Sequence, residues 1–96
     1  MIKHVVCFKL NEGESAEKAK EVLSGMKGKV PQIREMEVGI DFLGSARSFD
    51  VYLSVVVDDK DALNDYQNDP YHVNVVKKHM HSVTKSSVAV DFVIEK

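Results

Sequence analysis

The sequence predicts an α+β domain: a four-stranded antiparallel sheet with its helices on one face. Three features predict it. Four stretches alternate apolar and polar residues with the period of a strand, two amphipathic helical stretches interrupt them, and the order is β-α-β-β-α-β. That order is the split-βαβ, or ferredoxin-like, arrangement. The 96 residues suit one domain, 1–96, and are too few for two independent cores.

The first strand is IKHVVCFKL, residues 2–10, with His4, Val6, Phe8 and Leu10 on one face and Val5, Cys7 and Lys9 on the other. NEGES breaks the alternation, and Ser15 is placed to cap a helix. In residues 16–30, Ala16, Ala19, Val22, Leu23, Met26 and Val30 recur at helical spacing; Gly25 and Gly28 weaken the last turns and Pro31 stops them. The second strand, 33–42, carries Met36, Val38, Ile40 and Phe42 as its apolar face, and GSARS turns the chain. The third, 49–57, sets Val51, Leu53, Val55 and Val57 against Tyr52, Ser54 and Val56.

Asp58 and Asp59 can cap the helix KDALNDYQN, in which Ala62, Leu63 and Tyr66 share a face. Pro70 cannot continue that helix but suits the first turn of another, and Asp69 before it is pushed from helical angles. Residues 70–83 then form a second helical piece with Val73, Val76, Met80 and Val83 as its stripe. The last strand, 86–95, has Val88, Val90, Phe92 and Ile94 facing one way and Ala89, Asp91 and Val93 the other.

Helices can cover only one side of this sheet, yet the first, third and fourth strands are apolar on both. A second copy of the chain is the expected cover, a homodimer formed through Val5, Cys7, Tyr52, Val56, Val88, Val90 and Phe92. Thirteen basic residues against fifteen acidic ones, for a net charge of −2, argue against a nucleic-acid footprint. No apolar run approaches the ~20 residues that span a bilayer, and the first ten residues lack a signal-peptide pattern. One cysteine, Cys7, gives no intrachain disulfide framework, so a cytoplasmic location is the default expectation.

These residues resemble the stress-responsive A/B barrel domain family, also described as dimeric α+β barrels. The resemblance covers nearly the whole chain and rests on IKHVVCFKL, IREMEVG, DYQNDPYHVNVV with its Tyr-x-x-x-Pro-x-His spacing, and VAVDF. It implies a homodimer whose two sheets pack face to face into a barrel, with a pocket between each sheet and its own helices. In the plant member that cyclises linear polyketides by intramolecular aldol condensation, a Tyr and a His at this spacing serve the pocket. The matching residues are Tyr66 and His72, with His4 for the opening-strand histidine and Asp91 for the closing-strand aspartate. Helix 1 departs from the bulky aromatics of that enzyme, offering Ala19, Val22, Leu23 and Met26, so the ligand should differ and the cyclase reaction does not carry over.

The residues also permit chemistry of their own. Tyr66 lies on the apolar side of its helix, His72 beside the buried stripe of the next, and Asp91 on the strand face that looks toward the helices. A carboxylate bonded to one imidazole nitrogen fixes the tautomer and raises the basicity of the other. His72 is then a candidate general base, Asp91 its orienter and Tyr66 a donor to a carbonyl or enolate oxygen, with no metal or cofactor required. Val6, Phe8, Leu23, Leu53, Val55 and Val76, with His4, are the expected ligand-binding wall. The competing expectation is a buried structural His–Asp pair in a domain whose only chemistry is dimerisation. A metal reading of His72, His79 and His81 fails on helix geometry, since residues two apart diverge by about 160° and residues two turns apart by about 10 Å.

Overall fold

The computed structural model describes residues 1–95. Its elements run β1 Ile2–Leu10, α1 Ala16–Ser24, β2 Glu35–Ile40, β3 Val51–Val57, α2 Lys60–Asn68, a π-helical turn His72–Lys77, α3 Lys78–Val83 and β4 Thr84–Val93. All strand pairs are antiparallel, in the order β2-β3-β1-β4. This is the ferredoxin-like fold expected from the residue pattern.

Strand register decides which side chains share a face. His4 pairs with Val55 on β3 and with Asp91 on β4; Val6 pairs with Leu53 and Ala89; Phe8 pairs with Val51 and Ser87. These residues face the helices. The core is assembled there from Leu53, Val55 and Val57 of the sheet with Leu23, Met26, Tyr66, Val76 and Met80 of the helical layer. The helices pack on β1, β2 and β3, whereas β4 packs chiefly on β1 and stays exposed along most of its length.

Capping chemistry sets the helix starts. Ser15 accepts from the Lys18 amide at 3.0 Å, and Asp59 accepts from the Ala62 amide at 2.8 Å. Asp58 does not share the capping of α2. It accepts two hydrogen bonds from Arg34, at 2.9 and 2.8 Å, which tie the entry of β2 to the end of β3.

Several boundaries differ from the periodicity. Regular α1 ends at Ser24, and residues 25–30 continue as turns that still bury Met26 and Val30. The apolar spacing extends past the point where glycines stop supporting a helix. β2 spans 35–40 rather than 33–42 because Asp41 begins the turn, its carboxylate accepting from the Gly44 amide at 2.7 Å, and Gly44 adopts φ +64°. Phe42 therefore leaves the expected core stripe and is 97% exposed. β3 begins at Val51, and β4 starts at Thr84, directly after α3, so it runs two residues ahead of its expected span.

The region after Pro70 differs most. Asp69 Oδ1 accepts from the amides of Tyr71 at 2.9 Å and His72 at 3.3 Å, capping the new helical piece. Its next turn winds as a π-helix, an uncommon form often found at functional sites. The wider winding turns Val73 outward, contrary to the expected stripe, and turns His72 inward. Val76, Met80 and Val83 remain buried as expected.

Candidate functional site

Residues of β1, β4, α2 and the π-turn meet at a cleft of about 230 Å³ between the sheet and the helical layer. Its physical origin is the helix-facing side of β4. Opposite Val6 and Phe8 that strand offers only Ala89 and Ser87, too small to fill the space that branched aliphatics fill over β3.

Three rings stand at the head of the cleft. Tyr66 stacks on His72 with centroids 4.3 Å apart and planes 25° apart, and meets His4 edge-on at 5.8 Å and 62°. His72 is 7% exposed, His4 8% and Tyr66 0%. His72 Nδ1 lies 3.0 Å from the Tyr66 carbonyl oxygen, which can only accept, so Nδ1 carries the proton and Nε2 presents its lone pair. Burial pushes the His72 pKa below the usual imidazole value, and positive charge on Lys77 and His4 acts the same way. The Tyr66 carbonyl and Asp69 oppose the shift without cancelling it. His72 is thereby a neutral imidazole with a fixed tautomer.

Asp91 does not orient His72, contrary to expectation. Its carboxylate is hydrogen-bonded to Nδ1 of His4, its register partner on the neighbouring strand. Asp91 reaches His4 from the exposed sheet edge and does not itself line the cleft. Two imidazoles thus have their Nδ1 atoms held, one by a backbone carbonyl and one by a carboxylate. Neither Nε2 is among the buried polar atoms that lack a partner.

Tyr66 also departs from its expected part. Its hydroxyl donates to Met26 Sδ at 3.8 Å, deep in the core, and burial raises its pKa far above the usual phenol value. In this conformation Tyr66 contributes its ring, which spaces the histidines, and not a free donor. Val6, Phe8, Leu23, Leu53 and Val76 line the cleft. Val55 does not: it is fully buried in the core beneath the helices.

Sequence reasoning missed Gln67, Lys77, Met80, His81, Ser87 and Ala89 in the lining. Lys77 follows His72 by five residues, the hydrogen-bond period of a π-helix, which brings both to the same wall. Ser87 and Ala89 were legible as helix-facing positions of β4 whose small side chains leave room.

The fold is that of a ferredoxin-like α+β domain, with a cleft under its helices lined by three histidines and one lysine among its residues. Residues 2–94 match the family model described as Stress responsive A/B Barrel Domain, and the chain belongs to that family. An uncharacterized protein of Streptomyces coelicolor is 32% identical over 78 residues, covering 75% of this chain and 79% of that one. A dimeric protein of unknown function and ferredoxin-like fold from Bacteroides fragilis superposes with a TM-score of 0.81 at 26% identity, over 95% of this chain and 93% of that one. A hydroxynitrile lyase from Passiflora edulis superposes with a TM-score of 0.80 at 14% identity, over 99% and 94% of the two chains, a likeness of fold alone. Among the described residues no helix is long and apolar enough to cross a membrane.

Proposed function

We propose that the protein is a homodimer whose subunits each bind a small apolar carbonyl compound in the cleft, where His72 acts as a general base. One observation carries the reading: the hydrogen bond from His72 Nδ1 to the Tyr66 carbonyl, which leaves Nε2 as a lone-pair acceptor in a desolvated site. A neutral imidazole whose pKa lies below the working pH is fully in its basic form. It removes a proton from the carbon next to the carbonyl. The C–H pair becomes the enolate C=C bond, the carbonyl π pair moves to oxygen, and the proton rests on Nε2. His4, hydrogen-bonded through Nδ1 to Asp91, lines the same cleft. Tyr66 keeps the two rings apart. The later fate of the enolate (closure, isomerisation or loss of a group) depends on the ligand.

Support for the dimer comes from the open sheet face. Register sets Val5 beside Val90, and Cys7 between Tyr52 and Val88, in one apolar patch. Val88, Val90 and Phe92 are exposed, Val90 at 61%. Val56 adds little to such an interface, because it is already buried within the single chain between register partners Lys3 and Glu35. The Bacteroides fragilis relative is described as dimeric, and the Passiflora edulis lyase demonstrates that the fold can host an enzyme.

The test is titration of histidine-labelled protein with phenylacetone, followed by the ring resonances of His4 and His72. Saturable shifts of both are expected. Resonances that stay fixed at millimolar ketone would leave the histidines as core-closing residues of a non-catalytic dimerisation domain.

A further inference from the structure

We infer that the ligand carries an anionic group, a carboxylate on a ring-sized apolar body, and that Lys77 receives it. The inference rests on the pocket reading above and narrows its ligand class.

The charge of the cleft is opposite to that of the chain. The protein has a net charge of −2, yet the polar residues lining the cleft are His4, Gln67, His72, Lys77, His81 and Ser87, with no Asp or Glu among them. Two acids that contact cleft residues already have partners. Asp69 caps the helical piece through the Tyr71 and His72 amides, and Asp91 is held by His4. Lys77 is half-buried, and its Nζ donates to the Gln67 carbonyl at 2.9 Å, which fixes the ammonium at the wall. That bond uses one of three donors and leaves two. An ammonium held in place, with donors to spare and no carboxylate within 4 Å among the described residues, is a receptor for an anion.

The apolar remainder sets the body of the ligand. Val6, Phe8, Leu23, Leu53, Val76 and Met80 line it. An apolar cavity of ~150 Å³ admits benzene, so about 230 Å³ takes one ring with a short polar arm. A carbonyl near the histidines and a carboxylate near Lys77 make the compound a small keto acid with an apolar ring.

Calorimetric titration of the intact protein with phenylacetate, its neutral isostere phenylacetamide, and phenylacetone tests this. Phenylacetate should bind about tenfold more tightly than the amide, a gap that narrows in high salt as screening grows. Lys77→Met should bring the carboxylate-to-amide ratio close to one, and Lys77→Arg should keep it. If Lys77→Met does not fold, the ratio in the unsubstituted protein and its salt dependence carry the same decision. Equal affinity for carboxylate and amide, or a ratio that survives Lys77→Met, overturns the anion inference while ketone binding upholds the pocket. Failure of all three probes to bind overturns both.

Discussion

His4 and Asp91 stand opposite each other on β1 and β4, and their imidazole and carboxylate are hydrogen-bonded across the strand pair. The contact joins the most buried polar side chain of β1 to the otherwise exposed edge strand. It therefore belongs both to the sheet and to the cleft.

A double-mutant cycle separates those two roles. Asp91→Asn and His4→Gln should each lower stability by about 1 kcal/mol, the usual worth of such a bond when one partner is half-exposed. Because they remove the same contact, the double variant should cost less than the sum, with a coupling of roughly 0.5–1.5 kcal/mol. Urea unfolding measures it. Strict additivity would mean that the pair contributes nothing to folding.

The pH dependence of stability should bear the mark of His72. In the unfolded chain its imidazole titrates at the ordinary value of 6.5, and in the folded chain burial lowers it. Above the unfolded value both states are neutral and the group has no effect. As pH falls below 6.5 the unfolded chain binds the proton first, so stability declines until the folded pKa is passed. The loss of Tm between neutral pH and pH 5 should be smaller in His72→Gln. A variant that tracks the parent protein would show that His72 is not desolvated.

Proton abstraction can be followed without knowing the natural ligand. In heavy water the protein should speed deuterium uptake at the carbon next to the carbonyl of phenylacetone, read by NMR. His72→Gln should slow it by about 10²–10⁴-fold, the usual share of a general base, and His4→Gln should slow it less. Uptake as fast in His72→Gln as in the parent protein would remove His72 from the base role.

Much of this architecture could be read from residue order, and the exceptions have physical causes. β1 and α2 occupy their expected spans because alternation, a capping aspartate and Pro70 mark their limits sharply. Alternation puts Asp91 on the same face of β4 as Ala89, but its partner depends on register, a property of two strands together. Pairing β1 and β4 end to end from Ile2 and Val93 sets residue 4 against residue 91. The π-turn was illegible because helical periodicity assumes α winding, so Val73 was expected inside although it turns outward. Tyr66 shows a different limit. Its burial followed from its helix face, whereas the direction of its hydroxyl depended on Met26, forty residues away.

The open sheet face makes a prediction independent of the cleft. A stable interface buries about 800 Å² on each partner, and Val88, Val90 and Phe92 are the exposed apolar residues of that face best placed to supply it. Val90 pairs with Val5 across the strands and stands at the middle of the patch. A carboxylate there would lose its hydration in a dimer but keep it in a monomer. Val90→Asp should therefore weaken association by several kcal/mol while leaving the single-chain core intact, since Val90 takes no part in that core. Sedimentation equilibrium at micromolar concentration should find the parent protein as a dimer and Val90→Asp as a folded monomer. A Val90→Asp protein that still sediments as a dimer would place the interface elsewhere and leave the apolar side of β4 without a partner.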